Sequence, residues 1–268
     1  MNPISAHIDA LYAAFADVPQ PAHLPSCPCC QGRVDVDRLL GLPLKQLTAN
    51  DLELYAFKAI TTVGDVSDLR WFAPRLLELL VCDELGVDVE IVLGKFGLAQ
   101  LDTWDAPLRT AVHDVFWAEL LRRIVDETAP PAEDWFCGIS LAVSDLNPWL
   151  LRLDGVEPAD ARIGVARLRS ELRQRDRSAF WVGCPGNLAL VQNWLLDRAH
   201  TWQTLYEDRG LFLVELSSND ELWISVDIER GAGVVQTVRR RLTADEARAV
   251  WDGSIETARL LAWRIHEG

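Results

Sequence analysis

The sequence predicts a mainly helical protein whose last third changes to a small α+β region. Across residues 1–178, apolar residues recur at three- and four-residue spacing, as expected for helices that bury one face. Between residues 211 and 242, short runs rich in Val, Ile, Leu and Trp are separated by polar or glycine-containing turns, which is typical of antiparallel strands. The chain has 268 residues, of which 49% are hydrophobic, so it is long enough to bury a full core.

The first part of the chain reads as a series of helices with short breaks. An amphipathic helix near the N-terminus ends before Pro19, and a proline-rich loop then leads to a Cys-Pro-Cys-Cys sequence at residues 27–30. A short helix over residues 35–40 stops at Gly41. Because the series contains no clear sequence repeat, we expect either a helical bundle or a HEAT-like layer of stacked helix pairs.

Residues 47–80 predict a helical hairpin that organises this region. Thr48 and Asp51 can cap its first helix, and Gly64 closes that helix after two β-branched threonines. Asp65 or Ser67 can cap the second helix. Pro74 removes one backbone donor inside the second helix, so we expect a kink or a restart near residue 73.

The hairpin carries five charged residues of particular interest, Lys58, Asp65, Asp68, Arg70 and Arg75. They can be solvated faces with weak ion pairs, or an organised polar network at a binding surface. We expect Asp65 and Asp68, at the turn, to pair with the cations. An enzyme of unrecognised type would centre on Lys58, Asp65, Asp68 and Arg75.

The cysteine sequence at residues 27–30, taken with the segment YAFKAITTVGDVSDLRWFAPRLLELL at residues 55–80, resembles a family of uncharacterised bacterial proteins. The resemblance covers roughly the first third of the chain. It implies a bacterial origin and a shared fold, and it implies no activity.

Cys27 and Cys30 have the C-x-x-C spacing at which two thiolates can share a tetrahedral zinc ion, with Cys29 or His23 as a further ligand. No second C-x-x-C or H-x-x-H follows at the spacing of a zinc ribbon or finger. Structural cysteines, a zinc site and a redox pair therefore remain alternative interpretations, of which we favour structural cysteines. No other cofactor is predicted.

The remaining helices and strands follow the same periodicity rules. Helices are predicted over residues 88–101, 103–127, 130–147, 157–175 and 188–207, and strands over residues 211–216, 221–229 and 234–242. A capping box at Thr243 to Glu246 begins a last helix. We expect a three-stranded antiparallel meander backed by two helices. The domain prediction is a helical region over residues 1–178 and an α+β region over residues 179–268, either separate or packed as one unit.

Charge is distributed unevenly along the chain. Residues 1–150 contain 22 acidic and 10 basic residues, a net charge of −12, whereas residues 151–268 contain 18 and 16, a net charge of −2. Phosphate binding needs a basic surface, so a nucleic-acid partner is not expected for the acidic half. A basic protein would be attracted to it. No secretory signal and no membrane-length apolar run is visible, so we expect a cytoplasmic protein that does not enter a membrane.

The sequence contains none of the usual catalytic signatures. Its five histidines never occur as a closely spaced metal-ligand pair, and nucleophile-elbow, P-loop and dinucleotide-binding motifs are absent. These observations favour a non-enzymatic protein-binding protein, such as an immunity-type inhibitor of a basic toxin or effector. A zinc-stabilised module and the enzyme centred on the hairpin are the alternatives. The oligomeric state stays open.

Overall fold

A computed structural model of the chain describes residues 3–27, 33–126, 128–156, 178–196, 200–206, 210–216, 222–229, 235–243 and a few single positions in the remaining segments. Helices occupy most of the chain up to residue 196, and an antiparallel sheet follows. The predicted mainly helical class with a C-terminal sheet is confirmed. None of the helices in these ranges combines the length and apolar content that a membrane-spanning segment needs.

The helices are short to medium in length and are joined by brief turns. Their bounds are α1 (Pro3–Ala14), α2 (Val36–Gly41), α3 (Ala49–Lys58), α4 (Val66–Val81), α5 (Val89–Leu98), α6 (Ala106–Val125), α7 (Ala132–Ala142), α8 (Asn147–Asp154) and α9 (Pro185–Leu196). Single 3-10 turns lie at Leu44–Gln46, Leu101–Thr103 and Ala179–Gly183. The predicted helices over residues 88–101 and 103–127 correspond to α5 and α6.

The central hairpin of α3 and α4 forms because its caps and its apolar stripe agree. Thr48 and Asp51 make a reciprocal capping box at the start of α3, and Asp65 and Asp68 make a second one at the start of α4. Both helices bury one apolar face. The buried residues of this pair include Leu52, Tyr55, Ala56, Leu69, Phe72, Leu76, Leu77 and Leu80.

Helix α4 runs without interruption from Val66 to Val81 although it contains Pro74. The predicted restart near residue 73 is therefore wrong. Pro74 is buried, and so is Leu77, which lies three residues later on the same face. Burial of this face offsets the one hydrogen bond that the proline cannot make.

Asn147 and Pro148 begin helix α8, although the sequence predicted that they would only end the preceding helix. Proline is favoured in the first helical turn because its missing N–H would have no intrahelical acceptor there. Trp149, Leu150 and Leu153 give α8 its buried face. The proline in the first turn and the buried apolar face together explain why a helix forms here.

The sheet has four strands in the order β1-β2-β3-β4, all antiparallel to their neighbours. Their bounds are β1 (His200–Tyr206), β2 (Gly210–Leu216), β3 (Leu222–Glu229) and β4 (Val235–Arg241). The predicted count of three strands is wrong, and the predicted helix over residues 188–207 is correct only as far as Leu196, because β1 begins at His200. Seven residues of β1 pair with β2, and this ladder outweighs the helical spacing of the apolar residues.

The chain forms two compact units, and each unit is made of three separate segments of the sequence. The first comprises Met1–Arg122, Asp134–Asp145 and Ser178–Pro185, and the second comprises Arg123–Glu133, Leu146–Arg177 and Gly186–Gly268. The division into domains at residue 178 stays a prediction. In the second unit, the predicted capping box is present, since the Glu246 carboxylate accepts from the Thr243 N–H at 2.9 Å.

Candidate functional site

The turn between α3 and α4 is fixed by the proline-rich loop that precedes the cysteine sequence. The Gly64 N–H donates to the Pro25 carbonyl at 2.7 Å, and the Cys27 N–H donates to the Thr62 carbonyl at 2.9 Å. Gly64 has φ of +67°, a conformation that glycine adopts at low cost. The hairpin turn and the segment entering the cysteine sequence are therefore one local structure.

Asp65 and Asp68 are committed to capping α4. The Asp65 carboxylate accepts from the Ser67 N–H at 2.7 Å, and the Asp68 carboxylate accepts from the Asp65 N–H at 2.8 Å. The hydrogen bond from the Ser67 hydroxyl holds the pKa of Asp65 below its usual value. Burial raises the pKa of Asp68. Helix capping thus accounts for both carboxylates without a cationic partner.

Tyr55 is fully buried next to these carboxylates. Its ring centroid lies 4.3 Å from that of Phe72, and its hydroxyl has no hydrogen-bond partner among the described residues. Burial, and then the charges of Asp68 and Asp65, raise the pKa of Tyr55. His23 lies two residues before Pro25, whose carbonyl accepts the Gly64 N–H, so His23 is close to the same turn.

The predicted metal ligands are only partly within the described residues. Cys27 and His23 both lie at the α3–α4 turn, while Cys29 and Cys30 lie outside the described residues. Within the described part of the chain, no three His, Cys, Asp or Glu side chains are arranged to hold a metal ion. The zinc site therefore depends on the two cysteines that the structure does not describe.

Arg75 belongs to a hydrogen-bonded cluster at the opposite end of the hairpin. It donates to the Leu47 carbonyl at 2.7 Å and to the Glu78 carboxylate at 2.6 Å, and the Tyr12 hydroxyl donates to the same carboxylate at 2.6 Å. Burial and the neighbouring Glu78 raise the pKa of Tyr12. This cluster joins α1, the loop before α3, and α4. Its role is structural.

Lys58 and Arg70 lie in two further environments. The Lys58 ammonium is 5.1 Å from the Phe57 ring centroid, and the Arg70 guanidinium is 5.1 Å from that of Trp104. Across residues 3–27 and 33–126, no hydrogen bond or ion pair joins Lys58, Arg70 or Arg75 to Asp65 or Asp68. The expected pairing is absent there.

A groove between α3 and the start of α5 is the feature best suited to binding. It encloses a cavity of about 420 Å³. Its α3 wall is formed by Asn50, Glu53, Leu54 and Phe57, and its other wall by Gly86, Val87, Asp88 and Ile91. Both walls belong to the first unit, and all eight residues are described.

The groove combines exposed apolar side chains with acidic ones. Leu54 is 36% exposed and Phe57 is 45% exposed, and the two lie three residues apart on one face of α3, so together they form an exposed apolar patch. The two charged lining residues, Glu53 and Asp88, are both acidic. The Glu53 carboxylate approaches Gly86 so closely that a Cβ there would lie 2.2 Å from its oxygen. The Glu53 side chain therefore reaches from the α3 wall to the backbone of the other wall.

Two lysines, Lys58 and Lys95, lie beyond the apolar residues Phe57 and Ile91 at one end of the groove. Lys95 is one helical turn after Ile91 on α5 and is only 7% exposed. Burial lowers the pKa of Lys95, and the nearby charge of Lys58 lowers it further. Leu98, on the same face of α5, is 57% exposed.

Sequence reasoning missed this groove, although a signal was present. The buried stripe of α3 is Leu52, Tyr55 and Ala56, whereas Leu54 and Phe57 fall off that stripe. Apolar residues outside the buried face of a helix are candidates for a binding surface. The burial of Lys95 has no comparable signal in the sequence, because it depends on how α3 and α5 pack.

No family model, curated protein or solved structure matches this chain. The chemistry of the groove and the charge of the chain are therefore the observations that bear on function.

Proposed function

We propose that the chain is a non-enzymatic protein-binding protein and that the α3–α5 groove receives a segment of its partner. The observation that carries this proposal is the exposure of Leu54 and Phe57 beside a cavity of about 420 Å³. Apolar side chains at the rim of a concave surface gain stability when a partner covers them. A groove between two helices suits an apolar segment that fills it.

The partner segment is basic as well as apolar. Glu53 and Asp88 line the groove, and residues 1–150 carry a net charge of −12. A Lys or Arg next to the apolar anchor would face these carboxylates, and the acidic surroundings would speed the encounter. An acidic segment would be repelled at the same place.

An inhibitor of the immunity type, which neutralises a basic toxin or effector in the cytoplasm, is the specific class that we propose. The acidic front half supports it, since a basic target would be held by charge and by apolar contact together. We also propose that the described helices form a bundle or a HEAT-like layer, which would present the groove on a firm scaffold.

Substitutions in the groove test this function. Purified chain immobilised at moderate salt should retain a specific basic protein from a lysate of the source cells. Phe57→Asp and Glu53→Lys should each reduce the retained amount at least about tenfold, because the first removes an apolar anchor and the second reverses the charge. Val182→Asp is the matched control, since Val182 is 84% exposed and does not line the groove.

Equal loss of the partner in Val182→Asp and Phe57→Asp would show that the groove has no special role. Retention that survives both groove substitutions would contradict the proposal in the same way. Circular dichroism of each variant shows whether a loss of binding is caused by a loss of folded structure.

A zinc-stabilised module is the second candidate, favoured by the placement of Cys27 and His23 at one turn. Here Cys27, Cys29, Cys30 and His23 would supply the ligands. Elemental analysis of protein purified without added metal should then find one zinc ion per chain, and the Cys27→Ser/Cys30→Ser double variant should lose it. A substoichiometric zinc content in the unsubstituted protein would remove this candidate.

A further inference from the structure

A second cavity, separate from the α3–α5 groove, opens where the end of α1 meets the starts of α4 and α6. Its volume is about 450 Å³, within the range of small-molecule sites in proteins. Val18, Pro107 and Leu108 form apolar wall, and the charged lining residues are Asp17, Arg70 and Asp105. All of them belong to the first unit and to the described residues.

Arg70 is held in this cavity with unused hydrogen-bonding capacity. Its guanidinium lies over the Trp104 ring at 5.1 Å from the centroid. Its Nε is buried and has no hydrogen-bond acceptor among the described residues. This buried Nε is out of reach of a ligand, so the donors available to the cavity are the terminal guanidinium nitrogens, which also have no hydrogen-bond or ion-pair partner among the described residues. Stacking on Trp104 fixes the plane of the guanidinium, which leaves it ready to bind a planar carboxylate.

The two aspartates of the cavity are also uncommitted. Neither Asp17 nor Asp105 lies within 4.0 Å of the Arg70 guanidinium nitrogens, since no ion pair between them occurs in residues 3–27 and 33–126. The side chains of both aspartates also make no hydrogen bond in these ranges. The cavity therefore presents one cation and two anions as separate groups.

We propose that this cavity binds a free amino acid with a cationic side chain, such as lysine or arginine. The ligand α-carboxylate would accept hydrogen bonds from Arg70. Its α-ammonium and its side-chain cation would each face one of Asp17 and Asp105. The ligand methylene groups would pack on Val18, Pro107 and Leu108. The ligand thus has two positive groups and one negative group, which is the complement of the lining.

Other small ligands match the lining less well. A phosphate or a dicarboxylate would satisfy Arg70 but would be repelled by both aspartates. A diamine would satisfy the aspartates but would offer no anion to the Arg70 guanidinium, which costs affinity. An aliphatic amino acid would leave one aspartate unused. The complete charge pattern therefore selects a basic amino acid.

The test is isothermal titration of the purified full chain with L-lysine and L-arginine. We expect saturable binding of at least one of them. Cadaverine and agmatine, which lack the carboxylate, and L-leucine, which lacks the side-chain cation, should each bind at least about tenfold more weakly. Arg70→Gln should weaken lysine or arginine binding at least about tenfold, whereas Arg38→Gln, which changes an arginine outside the cavity, should leave it unchanged.

Three results would overturn the proposal: no saturable binding of either basic amino acid, equal binding of agmatine and arginine, or unchanged binding by the Arg70→Gln variant. If Arg70→Gln fails to fold, Leu108→Trp tests the same cavity, because it fills space and keeps all three charges. Undiminished binding by a folded Leu108→Trp would also contradict the site. Loss of the protein partner through groove substitutions has no bearing on this outcome.

Discussion

At the scale of single residues, the most constrained position is the turn that joins α3 to α4. Gly64 adopts φ of +67°, and a Cβ at this position would lie 2.8 Å from an Asp68 carboxylate oxygen. The same oxygen accepts the Asp65 N–H at the start of α4. One glycine therefore allows both the turn and the helix cap to form.

Gly64→Ala should lower the free energy of unfolding by about 1–2 kcal/mol, because the left-handed conformation is strained for alanine and the cap must shift. Urea unfolding measures this change. Gly41→Ala is the matched control, since nothing lies within 4 Å of a Cβ at Gly41. Similar loss in both variants would show that the turn conformation is not the cause.

The buried Lys95 ammonium predicts a specific pH dependence. Burial lowers the pKa of Lys95 from its ordinary value of 10.5, so the charged form is disfavoured in the folded protein. Below the lowered pKa this penalty is constant. As pH rises from the lowered pKa towards 10.5, the folded protein loses the proton before the unfolded chain does, and stability rises.

Lys95→Met should therefore be more stable than the unsubstituted protein near neutral pH, by roughly 1 kcal/mol, because it removes a charge that burial disfavours. The difference should shrink as pH rises in the alkaline range. Urea unfolding at a series of pH values measures both effects. A destabilised Lys95→Met variant, or a difference that does not change with pH, would contradict this account of Lys95.

At the scale of elements, α5 and α7 pack closely at Gly97. A Cβ at Gly97 would lie 2.0 Å from the Leu141 carbonyl oxygen of α7, which is part of the backbone and cannot rotate away. A Cβ at Gly94, one turn earlier, would make only ordinary contacts at 3.8 Å and beyond. Of these two glycines in the same helix, only Gly97 is required for packing.

Gly97→Ala should destabilise the protein by about 1–3 kcal/mol because the two helices must move apart. Gly94→Ala should be neutral or stabilising by up to about 1 kcal/mol, since alanine is the better helix former. Thermal unfolding of the two variants compares them directly. Equal effects would mean that the close helix approach is absent.

The elements that sequence predicted well are those with both a cap and an apolar stripe. Thr48, Asp65 and Thr243 were identified as caps, and the structure places capping boxes at each of them. The strand at His200–Tyr206 was missed because its apolar residues also fit a helical spacing, and only pairing with β2 decides between the two. The groove was missed because it depends on two helices packing at a particular separation.

At the scale of the whole molecule, the uneven charge should control how fast a partner binds. Residues 1–150 carry a net charge of −12, so a basic protein is attracted to them at low ionic strength. The apolar contacts at Leu54 and Phe57 should control how slowly the complex dissociates. Charge and apolar surface therefore contribute to different rate constants.

Raising the NaCl concentration from about 50 mM to about 500 mM should slow association with the captured partner about tenfold or more, because screening shortens the range of the charges. The dissociation rate should change less. Surface plasmon resonance measures both. Leu54→Ser should show the reverse pattern, with faster dissociation and little change in association. An association rate independent of salt would contradict the charge argument.

Photocrosslinking at the groove tests the central claim most directly. A benzophenone amino acid at position 54 should crosslink the captured partner in high yield, and peptide mapping should place the crosslink in a segment with apolar and basic residues. The same probe at position 182, which is exposed but outside the groove, should give little product. Equal crosslinking at both positions, a crosslink to an acidic segment, or a crosslink to a second copy of this chain would contradict the account.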